Sequence, residues 1–351
     1  MEEPIKRPDP AIDDSAERRP TLHDVARLAQ VSTSTASRAL SNPEMVSDDT
    51  RQAVLEAAER TGYRPNLLAR SLRKQQARAI VVLVPSLDNP FYPEIISGME
   101  VAARERDYSL LLGLTLHDPR VETIYLELVR NQRADGILVV DGGITHLPKE
   151  GLRFPAPSVQ VIERLPGVDL PWVGIDDKAA SAKATQHLLE LGHRRIGHIS
   201  GLPRYSVTPD RIAGYRAALK AARIAYDPAL VEPGDFLMTG GERAAQKIMA
   251  LPDAPTALFC GNDASAFGAL RHLRSLGLRV PEDVSVVGFD DINSASFAEP
   301  PLTTLRQPKH AIGYTAMTML LDVLAGATDI DMQQTLPVEL IVRGSTAAPR
   351  S

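Results

Sequence analysis

Three polar residues with complementary hydrogen-bonding groups lie where apolar runs or loops of the chain end. Arg211 lies at a loop-to-helix junction in TPDRIAGY, Asn262 directly follows the apolar run TALFCG, and Asp290 directly follows SVVGF. A guanidinium only donates, a carboxylate only accepts and an amide does both, a combination that suits the hydroxyl groups of a small molecule. Each residue alone has a second interpretation, as a helix cap or as one member of a surface ion pair. Their shared position at strand and loop ends favours a binding site.

Four further residues extend this predicted site. Phe91 in NPFYP and Phe236 in GDFLMT could stack on a ring of the ligand, although core packing is the alternative for both. Glu163 follows the run VQVI and Gln307 follows TTLR, so both also stand at strand ends. The complete predicted small-molecule (effector) set is Phe91, Glu163, Arg211, Phe236, Asn262, Asp290 and Gln307.

No pattern for catalysis or metal binding accompanies this set. The histidines are dispersed, and His187, His193 and His198 fall on a predicted helix, its cap region and the next strand. Asp290 and Asp291 are adjacent, so on an extended segment their side chains would point to opposite faces and would not form an acid–base pair. The chain contains no phosphate-binding glycine loop and no nucleophile elbow. We therefore predict no catalytic residue, no metal site and no cofactor.

A second chemical pattern lies between Thr21 and Leu40, where two short helices are joined by a tight turn at Gln30 and Val31. Thr21 and Ser32 are plausible N-caps for these helices. Small apolar residues at helical spacing would let the helices approach at a steep angle, as a helix-turn-helix requires. The alternative is an ordinary capped helix pair with a solvated face. The exposed face of the second helix would carry short hydroxyls and one guanidinium, which suit base edges and phosphate oxygens: Thr33, Ser34, Ser37 and Arg38.

A third helix and a basic segment follow this pair. Ser47 is the predicted N-cap of the third helix, which carries Val54, Leu55 and Ala58 on its core side and ends at Gly62. The next helical segment, LLARSLRK, is too short to be stable alone in water, so a partner or DNA would have to order it. Residues 64–78 hold five basic residues and no acid, which is typical of a segment that faces phosphates.

Composition agrees with a DNA-binding module attached to a larger body. The 351-residue chain has a formal charge of −5, whereas residues 21–78 hold nine Lys/Arg and six Asp/Glu and so carry +3, leaving −8 for the remainder. The single cysteine, Cys260, lies in an apolar run typical of a buried strand, so no disulfide can form within the chain and a reducing compartment is favoured. No signal peptide and no run of eighteen apolar residues is visible, and we predict a cytoplasmic protein.

From Ile80 onward, apolar runs of strand length alternate with helical patterns. This alternation predicts an α/β body of two doubly wound parallel-sheet lobes, with a ligand cleft between them at the carboxyl ends of strands. The predicted organisation is a disordered tail over 1–20, an all-α headpiece over 21–65, a hinge helix and linker over 66–78, and a bilobed domain over 79–345. Its N-lobe would comprise 79–177 and 309–336, and its C-lobe 178–307 and 337–346.

The stretches DVARLAQVSTSTASRAL and GYRPNLLARSL resemble the headpiece and hinge helix of the lactose/galactose repressor (LacI/GalR) family. The family pattern DVAxxAxVSxxTVSRxLN is met except for Ala36 in place of Val and Ser41 in place of Asn. The stretches NPFYPEIISGME, LLELGHRRIGHISG, FCGNDASAFGAL and PPLTTLRQP resemble the family's effector-binding, dimerising core, which shares its fold with type-1 periplasmic binding proteins. The similarity is greatest to the cytidine (nucleoside) repressor branch, with which Glu163 agrees.

The resemblance implies a homodimeric repressor that binds a palindromic DNA operator and responds to a nucleoside or sugar through Arg211, Asn262 and Asp290. It also implies that Leu68 packs near the two-fold axis and that Leu72 inserts between base steps. Two alternatives are a solute-binding protein, which would have a signal peptide and no headpiece, and a sugar- or nucleoside-modifying α/β enzyme, which would need a phosphate cradle or catalytic base. The C-terminal tail has no heptad repeat, which favours a dimer over a tetramer. The predicted DNA contacts are Thr21, Thr33, Ser34, Ser37, Arg38, Ser47, Thr50, Asn66, Ala69 and Leu72.

Overall fold

The computed structural model describes residues 20–64, 76–140, 142, 154 and 156–350. The chain divides between Lys74 and Gln75 into two compact units, which we call the headpiece and the body. Within the described ranges, no helix is both long enough and apolar enough to cross a lipid bilayer.

Over the described residues 20–64, the headpiece has three α-helices, which begin at capping residues. Its helices are α1 (Leu22–Leu28), α2 (Thr33–Ser41) and α3 (Asp48–Thr61), with a 3₁₀ turn at Pro43–Met45. The backbone N–H of Thr35 donates to Ser32 Oγ at 3.1 Å and that of Thr50 to Ser47 Oγ at 3.4 Å. Gly62 ends α3 in the left-handed region, with φ of 67°. The predicted helix starts and the predicted end at Gly62 are all observed.

The headpiece core is small and consists of alanines and valines. Val25, Ala36 and Val54 are completely buried, one from each helix. Leu55 was predicted to belong to this core, and that prediction is wrong because the side chain is exposed. Residues three apart share a helix face, so Ala57 joins Val54 in the core and Leu55 is rotated outward.

The first lobe of the body is built on a six-stranded parallel sheet. Its helices are α4 (Tyr92–Glu105), α5 (Pro119–Arg130) and α10 (Lys309–Leu324). Glycines at Gly98 and Gly313 let α4 and α10 pack backbone to backbone, because a Cβ at Gly98 would collide with the carbonyl of His310. The strands are β1 (Ala79–Val84), β2 (Ser109–Leu114), β3 (Gly136–Val139), β4 (Ser158–Val161), β5 (Trp172–Gly174) and β11 (Gln333–Thr335), in the order β11-β5-β4-β3-β1-β2.

The second lobe is built on a four-stranded parallel sheet. Its strands β6 (Ile196–Ser200), β7 (Val231–Pro233), β8 (Ala257–Cys260) and β9 (Ser285–Val287) follow the order β7-β6-β8-β9. The strands β10 (Thr304–Arg306) and β12 (Glu339–Ile341) pair antiparallel, and single bridges connect residues 287 and 290 to 303 and 306. The helices are α6 (Asp177–Glu190), α7 (Val207–Ala221), α8 (Met238–Met249) and α9 (Asp263–Ser275), with 3₁₀ turns at Pro228–Leu230 and Asn293–Phe297.

The fold class predicted from the sequence, an α-helical headpiece with two parallel-sheet lobes, is confirmed. The chain leaves the first lobe after β5, returns to it with α10, and crosses again between β11 and β12. Strands β7 and β11 were not predicted, because each has three residues and no buried apolar alternation. The predicted strand LPVELIVRG is regular only at Glu339–Ile341.

Candidate functional sites

Helix α2 presents a polar face on the surface of the headpiece. Thr33, Ser34 and Arg38 are exposed, whereas Ala36 and Ala39 on the opposite side are buried. The hydroxyl of Ser34 lies 2.8 Å from that of the N-cap residue Ser32, and Arg38 Nε donates weakly to the Ser34 carbonyl at 3.4 Å. Because Arg38 is exposed, a nucleic acid can reach its guanidinium. The half-buried Ser37 belongs to the same helix, and its carbonyl accepts a hydrogen bond from Ser41 Oγ at 2.7 Å.

The other predicted DNA contacts in the described headpiece lie at helix N-termini. Thr21 Oγ1 donates to the Asp24 carboxylate at 2.7 Å, so this hydroxyl is part of the N-terminal cap of α1. Ser47 and Thr50 lie 2.9 Å apart, hydroxyl to hydroxyl, at the start of α3. Free N–H groups and the helix dipole make such a start favourable for a phosphate. The remaining predicted contacts, Asn66, Ala69 and Leu72, lie outside the described residues.

In the body, Arg211 belongs to a buried ion pair. Arg211 Nε donates to Asp177 Oδ1 at 2.7 Å, and its Nη1 donates to the carbonyl of Gly261 at 2.5 Å. The guanidinium also lies 3.9 Å from the ring centre of Phe289, a cation–π distance. Both charged side chains are 6% exposed, and burial raises the pKa of Asp177 despite the adjacent guanidinium. Arg211 is thus anchored from two sides near the start of α7.

Asn262 acts as a helix cap, the alternative considered from the sequence. Its Oδ1 accepts from the backbone N–H of Ser265 at 2.9 Å, which caps α9. Its Nδ2 donates to the carbonyl of Phe236 at 2.9 Å, and only 2% of the residue is exposed. Both ends of the amide are therefore used within the protein.

Asp290 and Gln307 form a buried polar pair. Gln307 Nε2 donates to Asp290 Oδ1 at 2.7 Å. Gln307 is 1% exposed and Asp290 is 3% exposed. Burial raises the pKa of Asp290 to about 7, against the opposing effect of Arg211. Gln307 Oε1 is buried without a hydrogen-bond partner among the described residues. A hydroxyl donor placed beside this amide would satisfy it.

Asp290 and Asp291 do diverge, but the predicted extended backbone is wrong. Their φ angles are 116° and 50°, in the left-handed region, so a local bend and not strand alternation separates the two carboxylates. Asp291 turns toward Arg306 and Arg343, each 2.7 Å away. Lys309 holds the bend from the start of α10, because its Nζ donates to the carbonyls of both aspartates at 2.8 and 2.9 Å.

Glu163 links the two lobes. Its Oε2 accepts from both the backbone N–H and the hydroxyl of Ser206, at 2.7 and 2.6 Å. Burial raises the pKa of Glu163, while the two Ser206 hydrogen bonds and Arg211 oppose that rise. Burial also raises the pKa values of Asp177 and Asp290, and the same Arg211 opposes both rises, so the structure brings one guanidinium and three carboxyl groups into one electrostatic cluster.

The two aromatic residues predicted to stack on a ligand lie in different environments. Phe91 is 5% exposed and packs edge-on against Tyr92, with 5.5 Å between ring centres, so it is a core residue. Phe236 has φ of 62° and packs over Gly201 and Gly261, where a Cβ on either glycine would crowd its ring. Its ring centre lies 5.2 Å from that of Tyr205.

An inter-lobe cleft of about 410 Å³ opens beside Phe236. The first lobe contributes Asn89, Tyr92 and His117, and the second lobe contributes Arg204, Tyr205 and Phe236. Of the seven predicted effector residues, only Phe236 is among the described residues that line this cleft, and the other six are buried. A second cavity, of about 260 Å³, lies between Trp172, Arg164, Asp177 and Ser206.

Sequence reasoning missed Asp177, Tyr205 and His117. Asp177 follows the strand run WVGID in the same way that Asp290 follows SVVGF, so the strand-end signal was present and was not applied. Tyr205 and His117 lie in loops without a comparable signal, and their proximity depends on how the lobes meet. No group of three or more His, Cys, Asp or Glu side chains suited to a metal ion occurs among the residues the structure describes.

A capped helix pair with an exposed polar face, joined to two parallel-sheet lobes with polar groups between them, defines a DNA-binding regulator with a small-molecule-binding body. Residues 21–66 match the model for bacterial regulatory proteins of the lacI family, and residues 185–346 match that for the periplasmic binding protein-like domain. The chain is 40% identical over 329 residues to the HTH-type transcriptional repressor CytR of Escherichia coli (strain K12), covering 93% of this chain and 96% of that protein. The chain therefore belongs to the LacI family of transcriptional regulators.

Two solved structures extend this similarity. The lac repressor dimer bound to operator and the anti-inducer ONPF is 26% identical, with a TM-score of 0.82 over 94% of this chain and 100% of that chain. The complex of the transcriptional regulator CelR with cellobiose is 34% identical, with a TM-score of 0.70 over 93% and 100% of the two chains. The family predicted from the sequence, and its similarity to the cytidine repressor branch, are confirmed. The protein is a DNA-binding transcriptional regulator of the repressor class and not an enzyme.

Proposed function

We propose that this protein represses transcription as a homodimer on a palindromic operator, and that a nucleoside or sugar bound between the two lobes controls it. The observation that carries the proposal is the exposed polar face of α2, because Thr33, Ser34 and Arg38 project from a helix whose other face is buried. A helix of this kind fits the major groove, and two on one two-fold axis require a palindromic site. A repressor of this kind acts on the chromosome, in the cytoplasm.

The dimer proposal is supported by apolar surface at one edge of the first lobe. Strand β2 is the outermost strand of the six-stranded sheet, and Leu111 and Leu112 on it are exposed. Ile124 on the neighbouring helix α5 is exposed as well. Exposed leucines on an unpaired sheet edge are unfavourable in water and favour burial against another surface. We propose that a second copy of the chain covers this edge.

The ligand proposal is supported by the inter-lobe cleft and the cluster behind it. Phe236 and Tyr205 offer ring faces. The Asp290–Gln307 pair offers a buried carboxyl and an amide oxygen that has no hydrogen-bond partner among the described residues. Rings and hydrogen-bond acceptors together suit a ribose, a nucleobase or a hexose. The similar CelR structure holds cellobiose. Because the cluster is buried, the ligand has to reach it by movement of the lobes.

Two experiments test the proposal. Selection of bound fragments from random double-stranded DNA by the purified protein should enrich one palindromic sequence, with half-sites about one helical turn apart. Isothermal titration with cytidine, adenosine, ribose and cellobiose should then identify a ligand that changes the affinity of the protein for that sequence. Enrichment of no sequence would overturn operator binding. A selected operator whose affinity is unchanged by every ligand that binds the protein would overturn control through the cleft.

A further inference from the structure

A short loop of the second lobe contacts two separate loops of the first lobe. This loop comprises residues 202–206 and leads into α7; we call it the clasp loop. Ser206, at its end, contacts the segment after β4, and Tyr205, one residue earlier, contacts the segment after β2. Adjacent residues of one loop therefore make both contacts across the lobe interface.

The Ser206 contact is a three-part hydrogen-bond network. The backbone N–H and the hydroxyl of Ser206 both donate to Glu163 Oε2, at 2.7 and 2.6 Å. The backbone N–H of Arg164 donates in turn to Ser206 Oγ at 2.8 Å. Hydrogen bonds to a carboxylate are among the strongest in proteins, and Glu163 is only 7% exposed. The Glu163 carboxylate of the first lobe thus binds Ser206, the residue that precedes α7 in the second lobe.

The Tyr205 contact joins two residues that line the cleft. Tyr205 Oη is 3.4 Å from His117 Nε2, and the two rings are 6.1 Å apart between centres. Leu116 and His117 have φ angles of 51° and 54°, a left-handed backbone that is uncommon for residues other than glycine. Arg204 supports the phenol from its own lobe, with its guanidinium 4.9 Å from the ring centre and an Nη2–Oη distance of 3.1 Å.

We propose that the clasp loop is a releasable catch, in which Glu163 and His117 of the first lobe hold Ser206 and Tyr205 of the second, and that ligand entry into the cleft requires its release. The proposal rests on the proposed function, because Tyr205 and His117 line the cleft assigned to the ligand. Both contacts are carried by neighbouring residues, so they break together and the lobes have two discrete arrangements. A ligand shifts the balance between them by replacing the Ser206 donors at Glu163, since only such differential contacts can shift an equilibrium.

The fluorescence of Trp172 can report whether the clasp loop is released. Trp172 is the only tryptophan of the chain, is 4% exposed, and donates from Nε1 to the carbonyl of Ile162 at 3.0 Å. The guanidinium of Arg164 covers its ring at 3.9 Å, while the backbone of the same Arg164 donates to Ser206. Release of Ser206 frees this segment and exposes the indole ring to solvent.

The test compares acrylamide quenching of Trp172 fluorescence in the full-length protein, without DNA or ligand. Ser206→Ala removes the hydroxyl that bridges Glu163 and Arg164, and should raise the fraction of open molecules about tenfold, equivalent to about 1.4 kcal/mol. The quenching constant should rise with that fraction. Ser206→Thr keeps the hydroxyl and should restore wild-type quenching. Ser275→Ala is the matched control, because Ser275 is an exposed serine of the second lobe whose hydroxyl donates to the carbonyl of His272 in its own helix, away from the lobe interface.

Unchanged quenching in folded Ser206→Ala, or an equal rise in Ser275→Ala, would overturn the catch. Glu163→Gln gives a second route, because a neutral amide oxygen accepts more weakly than a carboxylate. It should raise quenching by a smaller factor than Ser206→Ala, and wild-type quenching in this variant would also count against the proposal. The assay contains no DNA and no ligand, so its failure leaves operator selection standing, and a failed selection leaves the quenching result interpretable.

Discussion

Replacing Arg211 with alanine should destabilise the body strongly, because it leaves Asp177 buried without its partner. The two side chains are 6% exposed and 2.7 Å apart, and the guanidinium also satisfies the carbonyl of Gly261. Removing one partner of a buried ion pair typically costs about 3–5 kcal/mol. We expect a loss in this range for the free energy of unfolding of Arg211→Ala at pH 7. The same loss means that Arg211→Ala cannot serve as a clean test of ligand contact.

Two variants separate this effect from a general loss of an arginine. Arg243 pairs with Asp235 at 2.9 Å on the surface, where its side chain is 66% exposed, so Arg243→Ala should cost about 1 kcal/mol or less. The double variant Arg211→Ala/Asp177→Asn carries no buried unpaired charge. It should lose about 1–3 kcal/mol, the cost of the unsatisfied Gly261 carbonyl, and should therefore be more stable than Arg211→Ala alone.

Urea unfolding followed by far-UV circular dichroism measures all three variants. Burial already raises the pKa of Asp177 in the wild type, and loss of the guanidinium raises it further. Protonation neutralises the unpaired carboxylate, so the deficit of Arg211→Ala relative to the wild type should shrink as the pH falls. Equal stability of Arg211→Ala and Arg243→Ala at pH 7, or a deficit that does not depend on pH, would refute the assignment of a buried ion pair.

Three further predictions concern the headpiece, the buried carboxyl and the dimer. Arg38→Ala should weaken operator binding by about 1–3 kcal/mol in fluorescence anisotropy, while Thr33→Ala should change which sequence is preferred. Burial raises the pKa of Asp290 to about 7, so the folded state binds its proton more tightly than the unfolded state. The wild type should therefore lose stability relative to Asp290→Asn as the pH rises from about 4 to 7, measured by thermal unfolding. Sedimentation should show a dimer that Leu111→Glu weakens.

Each of these has an outcome that contradicts it. Wild-type affinity of Arg38→Ala would place the DNA-binding face elsewhere on the headpiece. A stability difference between wild type and Asp290→Asn that is the same at pH 4 and pH 7 would mean that Asp290 titrates normally. A stable tetramer at micromolar concentration, or an undisturbed dimer of Leu111→Glu, would contradict the proposed edge contact. Leu111→Ser is a milder companion variant should the charge prevent folding.

Local features of this protein were predictable from the sequence, and contacts between distant segments were not. The helix starts at Ser32 and Ser47 and the end at Gly62 depend on neighbouring residues, and the structure has all three. Asn262 shows the limit of this reasoning, because a residue between a strand and a helix can cap the helix or bind a ligand, and only its partners decide. The Glu163–Ser206 contact joins residues 43 positions apart in different lobes, and the helix and strand periodicities of the sequence do not predict it.

The backbone bend at Asp290 and Asp291 was unpredictable for a related reason. A strand run followed by two aspartates indicates continued extension, whereas the observed φ angles are positive. The bend is held by Lys309, which lies 18 residues further along and reaches it only after the chain has passed through β10. Charge-assisted hydrogen bonds from the buried Lys309 ammonium thus stabilise a bend at Asp290 and Asp291 that the neighbouring residues do not predict.

Lys309 also constrains how the lobes can move. Its side chain is 3% exposed, and its ammonium lies 3.4 Å from a carboxylate oxygen of Glu94 of α4 and donates to two carbonyls of the second lobe. Pulling these groups apart would leave the buried Lys309 ammonium without its partners. The free-energy cost would be far greater than that of releasing the half-buried hydroxyl of Ser206. Lys309 therefore opposes separation of the lobes by translation more strongly than rotation about an axis near its own ammonium. Rotation about such an axis moves the far rims of the lobes more than the groups next to Lys309, so a small change beside the axis produces a larger displacement at a distance.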